Sequence, residues 1–494
     1  MKPSMHYPTA WWLIASVWPP LAWGTQTGNV LGTDILQVIY SRTRDCSIRP
    51  LRHSLPRRKS ANVSAAQPTG SLTELTEVHQ VLVTFQQTQT RSRSIRHDYE
   101  KTRLLQSFDK RNGGWTANHP RHRLLDALHG FLKYRERQAA ELTRLRSLYN
   151  NVSKSQKAVC VQTANLSIEL QLTISQLLEH HLSYSSKFDD VEQKLVNNQV
   201  LCNAIVHNAL KFYGVEMEEV QKHVRDTEAA GQRADKISVS QALKHIVRDW
   251  TQEGQHERNS TFACMLESLA QLFPERDGDA EPVQILLPGA GLGRLGHDIH
   301  QLGGFEVTIN EWSMYMNVVY RFLEERARSH GEVFHPFVHA WSHHATDSDM
   351  HRELSFPDID INSQSVLMVE GDFMTAFRDQ QGQYDVVLTY FFIDTARNLV
   401  GYFDVIKKVL KRGGFWINLG PLLYGTSPFV QLSLQDIIKL TEAMGFQYLD
   451  TSERYGHRTF ENSTVRGMEA IYGFDKEALT KNSYNAQFWV AKRL

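Results

Sequence analysis

Cysteine is scarce in this chain of 494 residues. The four present, Cys46, Cys160, Cys202 and Cys264, are scattered with no CxxC spacing. That argues against a disulfide framework or a cysteine-built zinc site and for reduced thiols in a cytosol-like compartment. Net charge is lacking too: 54 Lys and Arg balance 54 Asp and Glu, so no global positive field draws a nucleic acid. The apolar run Trp11–Leu21 is too short for a membrane span and is broken by Pro19-Pro20. Acids are nearly absent from residues 1–73, where only Asp34 and Asp45 face arginines at 42, 44, 49, 52, 57 and 58. This stretch reads as a leader-like or disordered tail. A signal-peptide core, a transit peptide and a misassigned start of translation stay open as its meaning.

What is present is apolar material, 41% of the chain, enough for large cores in two or three structural units. Residues 74–275 show helical periodicity and no strand-like alternation of any length. Leu124, Leu125, Leu128, Leu132, Ala139, Leu142, Leu145 and Tyr149 form one apolar stripe, and Leu166–Leu178 and Val191–Tyr213 repeat the pattern. Residues 276–494 alternate strand and helix. The expected organisation is a tail (1–73), a helical domain (74–275) and an α/β domain (276–494).

The chain is organised around Gln284–Ser313. An apolar strand, Val283–Leu287, turns through Pro288-Gly289-Ala290-Gly291-Leu292-Gly293 into a helix, Leu295–Leu302. A strand, Glu306–Ile309, then ends at Glu311. This is the nucleotide-binding half of a doubly wound α/β fold. Gly289 and Gly291 allow tight dihedrals and close approach of a ligand. Glu311 is placed to accept from a ribose diol. Strand Val366–Val369 leads to Asp372 and Phe373, an acid and an aromatic suited to an adenine, with a helix N-cap as the alternative for Asp372. Strand Tyr384–Tyr390 runs into Asp394, at the end of the sheet where ligands bind. There it would orient an imidazole, bind a cation or cap the helix Ala396–Leu410. Arg412-Gly413-Gly414 reads as the stop of that helix. Strands Phe415–Leu419, Phe446–Leu449 and Gln487–Ala491 close the sheet. Their late pairing favours a methyltransferase over a hydride-transfer enzyme. Upstream, Val247-Arg248-Asp249-Trp250 reads as an interdomain clamp, with Arg248 also able to reach a carboxylate. His335, His339 and His343 sit in an irregular loop without a completed ligand set, so no metal is expected.

PGAGLGRLG (288–296), NEWS (310–313), GDF (371–373), FFIDTARN (391–398) and GGFWINLGPLLY (413–424), with VRDW (247–250), together resemble the carnosine N-methyltransferase family. The resemblance covers roughly residues 100–494. It implies a Rossmann-like seven-stranded sheet with the last strand antiparallel, after a helical domain. It also implies S-adenosylmethionine as cofactor and transfer of its methyl group to the imidazole of a histidine-containing dipeptide, carnosine to anserine.

By the same resemblance His245, where the family commonly has Gln, and Arg248 hold the cofactor's methionine end. Gly289 and Gly291 form the cofactor loop, Glu311 takes the ribose, and Asp372 with Phe373 take the adenine. Tyr390 stands where the family usually has Cys. Asp394 is the catalytic, substrate-binding acid. Gly425 replaces a substrate-side His, Tyr484 keeps one of the tyrosines facing the substrate, and Asn482 replaces another. Two other readings stand beside this: a methyltransferase acting on a different histidine-containing peptide or protein, and a cofactor-binding protein with a decayed substrate site. The expected partner is a small peptide, with no nucleic acid and no membrane, and a homodimer is left open. The expected compartment is the cytoplasm, with the nucleus as an alternative.

Overall fold

The computed structural model describes residues 95–112, 114–155, 178, 179, 182–276, 281–326, 330–362 and 365–494. All of them fall in one compact unit. The leader at 1–73, Cys46, Cys160 and nearly all of the expected helix Leu166–Leu178 lie outside these residues. Cys202 and Cys264 are free and buried. Among the described residues no helix is long and apolar enough to cross a membrane.

Among the described residues seven helices precede the first strand: α1 (Ile95–Ser107), α2 (Pro120–Leu132), α3 (Tyr134–Ser155), α4 (Tyr184–Tyr213), α5 (Met217–Ala229), α6 (Lys236–Trp250) and α7 (Gln255–Leu272). The stripe expected along one helix is divided between two. Lys133 leaves helical geometry at φ −99° and ψ 10° and ends α2, so Leu124, Leu125 and Leu128 pack from α2 and Leu142 packs from α3. Periodicity cannot see such a break, because a single non-helical residue barely disturbs a three-and-four spacing. α6 starts where Asp235 accepts from the Ile237 and Ser238 N–H groups, a side-chain N-cap.

The sheet follows from short apolar runs punctuated by glycine. Its strands are β1 (Val283–Pro288), β2 (Phe305–Glu311), β5 (Val366–Glu370), β6 (Tyr384–Tyr390), β7 (Leu410–Gly420), β8 (Phe446–Leu449), β9 (His457–Arg458), β10 (Arg466–Ile471) and β11 (Ser483–Arg493). A separate hairpin pairs β3 (Glu332–Phe334) with β4 (Leu354–Phe356). The order is β5-β2-β1-β6-β7-β11-β10-β9, and β8 also pairs with β11. The first five run parallel, and β11 runs antiparallel to β7. Among the described residues the sheet has nine strands rather than seven. The long β11 pairs with β8 through residues 490–493 and with β10 through residues 483–488, so two further strands join an otherwise seven-stranded arrangement.

Side chains alternate across this sheet with the period of two that a strand imposes. Ile285 and Leu287 enter one core cluster and Leu286 the other; Val386 and Leu388 are likewise separated from Val387. The first cluster includes residues of α1–α7 together with α8 (Arg294–Gln301) and α9 (Met314–Arg326). The second includes residues of α11 (Phe373–Ala376), α12 (Leu399–Val409) and α13 (Leu434–Ala443). Between β3 and β4 lies the short α10 (Asp347–Met350).

One glycine signal reads differently in three dimensions. Gly413 and Gly414 do not cap a helix, since α12 ends at Val409 and the Leu410 N–H closes it on the Ile406 carbonyl. The two glycines sit inside β7, where the register jumps from Tyr384↔Leu410 to Val386↔Phe415. Gly413 has φ +82°, which lets the strand bulge at a position an L side chain would strain.

Candidate active site

The carboxyl ends of β1, β2, β5 and β6 converge, and β1 lies between β2 and β6, the switch point of a doubly wound sheet. Gly289, Gly291 and Gly293 all have positive φ, at +65°, +58° and +78°. A Cβ on Gly289 would stand 2.4 Å from Phe392 Cδ2, so the loop closes against that ring only as glycine. A Cβ on Gly291 would meet Arg248 Nη2 at 3.4 Å, His245 Nδ1 at 3.5 Å and Asp249 Oδ2 at 3.8 Å. The glycine loop and the end of α6 therefore share one small space.

That neighbourhood is built by VRDW. Asp249 Oδ2 accepts the Leu292 N–H at 3.3 Å, and Trp250 Nε1 donates to the Leu292 carbonyl at 2.9 Å. Arg294 returns the contact by donating to the Asp249 carbonyl at 2.9 Å. The clamp contacts of Asp249 and Trp250 and the guanidinium of Arg248 are thus neighbours on one turn. Arg248 donates from Nε to Asp249 Oδ1 at 2.6 Å and from Nη2 to His245 Nδ1 at 3.0 Å. Burial works against its charge, and the Asp249 carboxylate more than restores it. Burial, then the charge of Arg248, pushes His245 down to about 3, so it is neutral. Because Arg248 can only donate, Nδ1 is the acceptor and Nε2 carries the proton.

Glu311 lies at the end of β2, opposite Glu370 in the β2–β5 register. Its Oε2 accepts from Gly291 N at 2.9 Å, and its Oε1 accepts from Trp312 N and Ser313 N, both at 2.8 Å. Three of the roughly four lone-pair positions of a carboxylate are thus taken, leaving one acceptor position free. Asp372 caps α11 by accepting from Met374 N at 3.0 Å. Asn310 donates to the Val369 and Gly371 carbonyls at 2.8 and 2.9 Å and fixes the loop before it. Phe373 is 2% exposed, with its ring against Phe377, Phe392 and Tyr402.

On the other side of the loop Tyr390 ends β6, its hydroxyl 3.1 Å from Thr261 Oγ1 and its ring edge-on to Phe262. Asp394 sits in a single turn of 3-10 helix, Ile393–Thr395. It does not cap the next helix: Asn398 does, accepting from Gly401 N at 3.1 Å. Asp394 instead accepts the Leu423 N–H at 3.1 Å and is 7% exposed. Burial pushes its carboxyl up to about 7, against the pull of the Leu423 N–H. Tyr484 on β11 and Tyr424 both feel its charge. Gly425 is exposed in the connection that follows.

Tyr472, Phe474 and Glu257 of this wall carry no sequence signal of their own, and Phe391 is visible in the sequence only as the first residue of FFIDTARN. Phe391 has φ +49° beside Gly420, where any Cβ would stand 3.1 Å from the Phe391 backbone. Its ring stacks on Tyr472 at 4.6 Å and meets Tyr484 edge-on at 5.7 Å. The Arg248 guanidinium lies 5.2 Å from the Tyr472 ring and 5.6 Å from the Phe474 ring. Buried Glu257 holds that segment by accepting from Gly473 N at 2.8 Å and Phe474 N at 2.5 Å. Asn482 contributes its backbone carbonyl to Tyr472 N at 3.0 Å. His335, His339 and His343 do not share a helix face: they follow β3 in an irregular connection, and burial, ahead of two nearby lysines, pushes His339 down to about 3.

A parallel sheet whose last strand is inserted antiparallel beside the fifth, with a glycine loop facing an acid, defines a Rossmann-like methyltransferase. Residues 225–494 match the family model described as carnosine N-methyltransferase, and the chain belongs to that family. The carnosine N-methyltransferase of Schizosaccharomyces pombe is 33% identical over 326 residues, covering 61% of this chain and 81% of that protein. The mouse carnosine N-methyltransferase is 32% identical over 269 residues, 52% of this chain and 66% of its own. The protein of that name from Dictyostelium discoideum is 29% identical over 340 residues, 62% of this chain and 69% of its own.

Proposed function

We propose that this protein transfers a methyl group from S-adenosylmethionine to an imidazole nitrogen of a histidine-containing dipeptide, the carnosine-to-anserine reaction. The observation that carries the reading is Asp394, a nearly buried carboxyl pushed up to about 7, facing a tyrosine wall next to the glycine loop. The surroundings fit the cofactor. Gly291 leaves an open backbone beside the guanidinium of Arg248, suited to a carboxylate, and Glu311 keeps one acceptor position for a ribose hydroxyl. Gly289, Asp372 and Phe373 would line its nucleoside, and His245 and Tyr390 the methionine end.

A sulfonium methyl is already activated, so the protein supplies proximity and orientation. Asp394 accepts the N–H of one imidazole nitrogen and fixes the tautomer that leaves the other nitrogen's lone pair free to attack. As that nitrogen gains the methyl group, positive charge spreads over the ring. A carboxyl titrating near 7 is matched to take the displaced proton. Phe391, Tyr472 and Tyr484 exclude water from this side.

The absence of a side chain at exposed Gly425 favours a second reading on the same chemistry, a larger acceptor such as a histidine-containing peptide or protein. Methyl-labelled S-adenosylmethionine with a panel of histidine dipeptides and longer peptides tests both. Label on carnosine supports the first reading, label only on longer peptides supports the second, and cofactor binding with no label on any imidazole overturns both.

A further inference from the structure

Arg123 stands on α2, far from the glycine loop in sequence, and lies against Trp312, the residue after Glu311. Its Nη2 donates to the Trp312 carbonyl, and its guanidinium lies over the Trp312 indole, 3.7 Å from the ring centroid. Trp312 is the residue whose N–H donates to Glu311 Oε1 at 2.8 Å. The helix is held at this place by Phe131 against Tyr315, with ring centroids 6.1 Å apart, and by the Tyr315 hydroxyl donating to the Asp126 carbonyl at 3.3 Å. A planar cation is thus stacked and hydrogen-bonded on the residue next to the ribose acid, which lysine could not reproduce.

We infer that Arg123 is a positioning residue for the cofactor's nucleoside end, supplying the positive charge against which Glu311 is oriented and tying the helical part to cofactor binding. The inference rests on the assignment of Glu311 to the ribose. The charges around the pair agree with it. The carboxylates acting on Arg123 are Glu311, Glu370, Asp372 and Asp126, and burial outweighs them, bringing the guanidinium down to about 10. Burial raises Glu311, while the N–H groups of Ser313, Gly291 and Trp312 lower it, and after them the charge of Arg123. Glu370 has its own cation, Arg321, at 2.8 Å. Arg248 is engaged by Asp249 on the other side of Gly291.

The test compares Arg123→Gln, Arg123→Lys, Glu311→Gln and the Gln/Gln double variant with wild type. Affinity for S-adenosylmethionine is measured by calorimetry from about pH 6 to about pH 9, and methyl transfer at saturating cofactor. Arg123→Gln should weaken cofactor binding about tenfold, with kcat at saturation little changed. The loss should be larger at the acid end, because Glu311 without its cation protonates more readily. Arg123→Lys should recover part of the loss. Glu311→Gln should flatten the pH dependence, and the double variant should be no weaker than Glu311→Gln alone.

Wild-type affinity in Arg123→Gln beside a weakened Glu311→Gln would overturn the inference and leave the cofactor assignment standing. So would a loss that is independent of pH and additive with Glu311→Gln. Unchanged affinity in Glu311→Gln would overturn the assignment itself and the inference with it. If Arg123→Gln does not fold, Arg123→Lys carries the same comparison, and wild-type affinity in it would count against the stacked guanidinium.

Discussion

Asp394 makes opposite demands on stability and on activity. Its folded carboxyl titrates near 7 against an ordinary value of 3.8, so the folded state binds the proton more tightly than the unfolded one. The stability that the protonated form contributes is fully present below 3.8 and is lost as pH rises through about 7. Asp394→Asn should therefore stabilise the fold more near pH 8 than near pH 5, by at most about 3 kcal/mol, read as a higher melting temperature. Turnover on the imidazole acceptor should fall on the order of 100-fold in the same variant, because the charge facing the developing imidazolium is gone. A variant that is less stable than wild type at the alkaline end, or as active, would contradict this account. Glu311→Ala is expected to cost cofactor affinity tenfold or more, about 1–3 kcal/mol, read by calorimetry with the circular dichroism spectrum unchanged.

At the scale of elements, Asn398 and Asp394 separate capping from chemistry. Asn398→Ala removes the side-chain acceptor for Gly401 N and should destabilise the fold by about 1 kcal/mol in urea unfolding. The acceptor-binding site should be spared. Sequence reasoning left Asp394 open between cap and catalyst because either would be an acid shortly before a helix; the structure assigns the cap four residues on, to Asn398. The strands β1, β2, β5 and β8 were legible because each is an apolar run closed by glycine or an acid, and β6 because its apolar run opens just after Gly382. β9 and β10 were not: His457 and Arg458 are both exposed, and Gly467 interrupts β10, so neither has apolar alternation to read. The same region hides Tyr472 and Phe474, whose roles depend on where the chain returns after β9. Gly413-Gly414 was visible as a backbone break, but a helix stop and a strand bulge both call for glycine.

At the scale of the molecule, helices and sheet share one hydrophobic cluster that runs from Leu104 to Val490. Trp250 is its hinge point, fully buried and hydrogen-bonded through Nε1 to the glycine loop. Trp250→Ala is expected to cost about 3–5 kcal/mol, and because the loop loses its clamp, S-adenosylmethionine affinity should fall as well. Differential scanning calorimetry of the wild type should show one transition; two resolved transitions would mean that the helices and the sheet unfold separately.

The placement of β11 has a consequence for biosynthesis. It is the last described strand in chain order, yet it lies inside the sheet, between β7 and β10. A ribosome delivers the glycine loop, Glu311 and Asp394 well before it delivers Tyr484. Until then the inner edge of β7 presents its unpaired N–H and C=O groups to solvent, a template for any passing strand. On the proposed assignment, the nascent chain thus holds its cofactor half before its acceptor wall exists. A ribosome stalled short of Ser483 would leave a protein able to engage the cofactor, unable to seat an imidazole, and prone to aggregate along β7.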